Sequence, residues 1–246
     1  MRDLHTHTNF CDGKNTPEEM IVAAIQKGMD CIGFSGHSYT FFDQSYCMSQ
    51  QNTECYKQEI DRLKKIYGDK IQILLGIEQD YYSDAPTKDY DYIIGSVHYV
   101  KVNDTYIPMD DPPFEENVKK YFDGDYYALA EAYYETVADV ADKTACHIIG
   151  HLDLITKFNE GGKLFDENHP RYIAAWKKAV DALLPKNIPF EINMGALARG
   201  YRSAPYPAAS IIQYIKEKGG KLILSGDAHS ADTLCYRFED FEYYTK

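Results

Sequence analysis

Nine side chains of the kinds that bind divalent metal ions fall, in this sequence, where a short apolar run ends. His5 and His7 close a strand read over Asp3–His7, and Asp12 lies in the loop that follows. His37 comes after Cys31–Ser35, Glu78 after Ile71–Ile77 and His98 after Tyr92–Val97. His151 ends His147–His151, and Asp227 and His229 follow Leu222–Ser225. Imidazoles two residues apart on a strand leave the same face, so His5 and His7 can grip one ion together; Asp227 and His229 can do the same if the last strand continues through them. Nine N and O ligands exceed the roughly four that one Zn²⁺ takes. They suit two or three divalent ions sharing a bridging carboxylate. Glu78, read as the carboxylate at an inner strand end, is the bridge candidate. With no thiolate in the set, Zn, Mn and Fe all fit. His147 opens its strand ~13 Å from His151 and so reads as structural, His169 precedes Pro170 and reads as a surface residue, and Cys11 stands beside Asp12.

The elements that must hold these residues alternate. Thr16-Pro17-Glu18-Glu19 is a capping box with proline at the first helical position, and Gly28 is a helix stop. A charged amphipathic helix is predicted over Thr53–Tyr67, a hairpin around Asn103-Asp104, and helices from Tyr126 to Lys143, Pro170 to Leu184 and Ala208 to Lys218. The paired tyrosines Tyr126, Tyr127, Tyr133 and Tyr134 read as packing residues. Seven near-continuous apolar strands alternating with helices imply a parallel sheet covered on both faces. The expected fold class is α/β, a distorted seven-stranded (β/α)7 barrel of TIM type. The nine polar residues then cluster at the C-terminal ends of its strands, where such folds carry their active sites.

The chain has 246 residues, a formal charge of −12 and 44% hydrophobic residues. This length suits one domain over residues 1–246, and the composition excludes global disorder. An acidic chain without a basic run argues against a nucleic-acid or anionic-membrane partner. Six scattered cysteines, no signal-like N-terminus and no apolar run of spanning length point to the cytoplasm with reduced thiols.

Six segments, HTHTNFCDG, GFSGHS, GIEQDY, GSVHYV, GHLDLI and SGDAHS, occur in this order. Together they resemble the polymerase-and-histidinol-phosphatase (PHP) superfamily of metal-dependent phosphoesterases. EINMGALARGYRSAPYP is similar to its histidinol-phosphatase branch. The resemblance implies a trinuclear site: His5, His7, Glu78 and Asp227 for one ion, Glu78, His98 and His151 for a second, and Asp12, His37 and His229 for a third. It implies phosphate contacts for Arg199 and Lys157, with Arg202 competing because the arginine of ALARGYR sits one residue off the commoner spacing. It also implies hydrolysis of a small phosphorylated substrate, L-histidinol phosphate, by a metal-activated hydroxide. Catalytic roles fall to Arg199, which balances phosphoryl charge, and to Asp227, which shares with Asp12 the candidacy for protonating the leaving group. One departure is Ser35-Gly36-His37 in place of Thr-Asp-His. Rival readings are a related enzyme acting on another phosphate monoester or a phosphodiester, an amidohydrolase-like metal hydrolase, and a non-catalytic metal-binding barrel. The net charge opposes a polyanion track; the Asp-x-His pair and Glu78 oppose the amidohydrolase pattern; the complete ligand set opposes decay.

Overall fold

A computed structural model describes residues 1–111 and 114–246. Seven parallel strands lie in the order β1 (Arg2–Asp3), β2 (Cys31–Phe34), β3 (Gln72–Asp80), β4 (Tyr92–Ser96), β7 (Ile148–Ile149), β8 (Phe190–Asn193) and β9 (Leu222–Ser225). The ends of the sheet meet where Thr6 bridges Ala228: His7 N donates to Ala228 O at 2.9 Å and Ala228 N to His5 O at 3.0 Å. The result is a nearly closed, distorted barrel. The predicted hairpin is β5 (Tyr99–Val102) with β6 (Thr105–Pro108), turning at Asn103, which adopts the left-handed conformation.

The helices are α1 (Pro17–Gln26), α2 (Gln50–Tyr67), α3 (Phe114–Phe122), α4 (Tyr126–Thr144), α5 (Pro170–Leu183), the short α6 (Gly195–Ala198) and α7 (Ala209–Glu217). Both bonds of the capping box form, Glu19 N to Thr16 Oγ1 at 3.3 Å and Thr16 N to Glu19 Oε2 at 2.8 Å. α2 begins three residues before the predicted start because Ser49 caps it, accepting from Asn52 N at 3.1 Å. Tyr133 and Tyr134 are buried where α4 packs on α5, and the Tyr134 hydroxyl meets that of Tyr172 at 2.9 Å. No described helix is long and apolar enough to cross a membrane.

Two strand ends that bear on the site differ from the sequence reading, and a third falls where that reading puts it. β3 runs on to Asp80, because Glu78, Gln79 and Asp80 pair with Ile94, Gly95 and Ser96 of β4. Glu78 is therefore inside the strand rather than after it. β1 is much shorter than Asp3–His7. The buried Asp3 carboxylate accepts from His5 N, Gly226 N and Cys235 N, so a side chain replaces the strand ladder there. A Cβ at Gly226 would lie 2.1 Å from Asp3 Oδ2, so only glycine fits. β9 ends at Ser225, and Asp227 turns to φ +46°, so the last strand does not continue through Asp227 and His229.

Alternation along the strands sorts the barrel interior into layers. Leu74, Gly76 and Glu78 share one face of β3. Leu74 packs with Leu4, Tyr92, Ile94, Ile148 and Ile223 in a small apolar plug. The Tyr92 ring fills the space that a side chain at Gly76 would need, 2.2 Å from its virtual Cβ, and its hydroxyl donates to Leu4 O at 2.5 Å. Above this dry floor the next inward position of β3 is Glu78.

Candidate metal centre

Glu78 is the hub. Its Oε2 lies 2.8 Å from His37 Nδ1, 3.1 Å from His5 Nε2 and 3.5 Å from His7 Nε2. Its Oε1 lies 2.9 Å from His151 Nε2 and 3.4 Å from His98 Nε2. Asp227 Oδ1 approaches His7 Nε2 at 3.3 Å, His229 Nδ1 at 3.4 Å and His5 Nε2 at 3.8 Å. Asp12 completes the cluster, 3.1 Å from His229 Nε2 and 3.7 Å from His37 Nε2. The nine residues scattered over the sequence thus converge on one site. The left-handed turn at Asp227 brings it there without the strand having to continue past Ser225.

The donor atoms can be tested for fit to metal ions. His5 Nε2, His7 Nε2 and Glu78 Oε2 are buried and have no hydrogen-bond partner among the described residues. Leaving such atoms unsatisfied costs about 1–3 kcal/mol each, and a divalent cation satisfies all three. Ligand atoms within 4.8 Å of one another form three groups: His5, His7 and Asp227; His37, Glu78 and His98; and His7, Asp12, His37 and His229. An all-N/O donor set of this kind suits Zn, Mn or Fe.

Electrostatics point the same way. Burial would raise the Glu78 pKa, but His5, His37 and His98 outweigh it and hold the carboxyl well below its usual range. Burial works against a proton on His5, yet Glu191, Glu78 and Asp227 lift its pKa well above the ordinary imidazole value. His98 and His37 are raised too, against burial, Glu78 being the main cause. His7 goes the other way, to about 3, through burial and the positive charge of His229 and His37. Burial, with help from Asp12, pushes the Cys11 thiol up to about 12. Its sulfur lies 3.6 Å from His7 Nδ1.

The PHP domain family matches residues 3–195 of this sequence. The chain belongs to the PHP domain family. A Deinococcus radiodurans protein named probable histidinol-phosphatase is 28% identical, spanning 97% of this chain and 90% of its own length. The histidinol-phosphatase of Bacillus subtilis is 27% identical, over 98% of this chain and 97% of the relative. A solved Lactococcus lactis histidinol phosphate phosphatase, complexed with Zn, L-histidinol and phosphate, shares the fold at TM-score 0.71 and 21% identity, covering 99% of this chain and 93% of that one. A Listeria monocytogenes structure superposes at TM-score 0.83 with 19% identity, over 98% and 100% of the two chains.

In this PHP chain the cluster floors a cavity of about 230 Å³ whose wall includes Lys157 and Arg199. Arg199 caps the C-terminus of α6 and donates to His229 Nδ1 at 2.9 Å and to Asp227 Oδ2 at 3.2 Å. Lys157 Nζ donates to Asp110 O at 2.7 Å. Arg202 is not among the lining residues. Its guanidinium donates to Thr156 O at 2.7 Å and lies 3.5 Å from Glu167 and 3.8 Å from Glu160. His147 lies apart and accepts from Ile93 N at 3.0 Å; His169 caps α5 and stacks on Tyr127 at 3.9 Å. Ser35 of the departing motif accepts from Thr6 N at 3.1 Å, tying β2 to the chain between His5 and His7.

One supporting residue, Glu191, escaped the sequence reading; a second, Asp80, reads in the sequence as a candidate acceptor for the substrate and not as a partner of His98. Glu191 of β8 is buried, accepts from His5 Nδ1 at 2.7 Å, from Ser225 Oγ at 2.6 Å and from His151 N at 3.0 Å. Glu78 is therefore not the only carboxylate at an inner strand end. Asp80 plays the matching part for His98, 3.1 Å from its Nδ1. Each bond turns the opposite ring nitrogen toward Glu78. Glu191→Gln is expected to weaken metal binding about 10–100-fold, the usual cost of losing a partner behind a ligating histidine. Competition against a chromophoric chelator measures this.

Proposed function

We propose that this PHP protein hydrolyses L-histidinol phosphate to L-histidinol and phosphate. The observation that carries the reading is the set of buried, unpartnered donors of His5, His7 and Glu78 beneath a cavity walled by Arg199 and Lys157. The names of the full-length relatives give the substrate. His5, His7, Glu78 and Asp227 would hold one ion, Glu78, His98 and His151 a second, and Asp12, His37 and His229 a third. Such ions supply a water of lowered pKa and positive charge for the phosphoryl oxygens.

The chain's own groups do the rest. Arg199 is held at the cavity wall by Asp227 and keeps its charge: burial opposes it, but Asp227 and Asp12 raise its pKa. It faces the charge that grows on the equatorial phosphoryl oxygens in the transition state. Lys157 adds a second cation from the turn after His151. The leaving alkoxide needs a proton, and neither Asp227 nor Asp12 holds one: against burial, Arg199 and His5 keep Asp227, and His37 and His229 keep Asp12, well below the usual carboxylate range, so either acts by passing on a proton from water. The apolar plug below keeps the site closed from beneath, so substrate enters from the strand C-terminal end.

Phosphate release from L-histidinol phosphate, other phosphate monoesters and a phosphodiester tests the assignment. The histidinol ester should be turned over with the highest kcat/KM; a preference for the diester would refute it. Arg199→Ala should lower kcat/KM by about 10²–10³, the usual cost of losing one donor to a developing oxyanion. Arg202→Ala should cost far less, because that side chain is engaged by Thr156 and Glu167 outside the cavity.

A further inference from the structure

Acidic residues stand beside the basic ones in the cavity wall. Beyond the metal cluster, Asp43, Asp110 and Asp111 line it against only Lys157 and Arg199. Both cations are already matched: Lys157 Nζ lies 3.2 Å from Asp110 Oδ2, and Arg199 Nη2 lies 3.2 Å from Asp227 Oδ2. Asp43 is locked in place, its Oδ2 accepting from Tyr99 OH at 2.8 Å and its Oδ1 from Ser45 N at 3.0 Å. The phenol oxygen of Tyr46 is buried with no hydrogen-bond partner among the described residues, on a ring that also lines the cavity. The carboxylates of Asp43, Asp110 and Asp111 thus share one cavity with the metal-ligand cluster.

Such a wall works against a substrate that is only an anion. Carboxylates in a confined site repel a phosphate dianion, and this repulsion excludes purely anionic esters. An ester whose alcohol carries a positive charge meets the opposite situation. Its cationic group gains charge-assisted hydrogen bonds from the wall while its phosphate reaches Arg199 and the metal cluster.

We propose that Asp110 and Asp43 are specificity residues that select phosphate monoesters bearing a cationic group on the alcohol. Asp110 acts twice, as an acceptor for that cation and as the counter-charge that keeps Lys157 from over-binding phosphate. The inference rests on the phosphatase reading above and deepens it.

The test uses the metal-loaded full-length protein and two matched esters, L-histidinol phosphate and its des-amino analogue, imidazolylpropyl phosphate. Wild type should prefer the amino ester. In Asp110→Asn and in Asp43→Asn the ratio of the two kcat/KM values should fall about tenfold or more, the scale of one hydrogen bond to a charged group. Asp110→Asn should also bind inorganic phosphate more tightly as a product inhibitor, because Lys157 is then unopposed. A ratio within each variant is insensitive to partial loss of folded protein. Equal losses on both esters, or a wild type indifferent to the amino group, would overturn the proposal and leave the phosphatase reading standing. Release of phosphate from neither ester by wild type would overturn both.

Discussion

Glu78→Gln is expected to lower kcat/KM by roughly 10³-fold or more, since on the proposed ligand assignment the substitution removes the carboxylate charge at the centre of a cooperative catalytic unit. The geometry gives the reason. Five imidazoles, from His5, His7, His37, His98 and His151, all have a ring nitrogen within 3.5 Å of this one carboxylate. Glutamine keeps the volume, so the apolar plug beneath is undisturbed. It replaces one acceptor oxygen by an NH₂ that can ligate nothing and that faces ring nitrogens needed as donors to metal. The carboxylate charge that lifts the pKa of His5, His37 and His98 is lost as well. Metal content by mass spectrometry should drop with activity, while far-ultraviolet circular dichroism stays that of wild type. Activity within tenfold of wild type would remove Glu78 from the centre of the site.

What the sequence disclosed about this site, and what it hid, follows from how each residue is held. The nine ligand candidates were legible because histidine is rare and each stands beside an apolar strand, so their common end showed without knowledge of the barrel's closure. The capping box at Thr16 was legible because its bonds are local. Glu191 was hidden: within PFEIN it reads as one polar residue on a short strand, and only closure between β7 and β9 turns it toward His5. The early end of β1 was hidden because Asp3 acts on Gly226 and Cys235, more than 220 positions away. The choice between Arg199 and Arg202 could not be made by spacing. It depends on α6, whose four residues leave Arg199 beside Asp227 and carry Arg202 past the rim toward Thr156.

Stripping the metal is expected to abolish turnover, and Zn²⁺, Mn²⁺ or Fe²⁺ should restore it. The same experiment carries a proton count and a stability readout that activity alone does not. A ligating imidazole must be neutral, and metal binding therefore competes with protons. Without metal, against burial, Glu191 and Glu78 raise the pKa of His5, and Glu78 raises those of His37 and His98, so the same carboxylates favour a proton on rings that an ion must find neutral. An entering ion competes with protons on these rings, so loading should release protons, and affinity should rise with pH through the histidine range. Calorimetric titrations in two buffers of different ionisation enthalpy give the number directly. Affinity that fell as pH rose would show that the imidazoles are not the ligands. Ions that bind only the folded chain add about 4 kcal/mol at a thousandfold excess over Kd, so Tm should drop on stripping by roughly 10 °C for a chain of this size. That loss follows from the arrangement itself. The buried nitrogens and oxygens under the cavity are held in place by Glu191, Asp80 and the strand ends, and without ions they face one another unsatisfied.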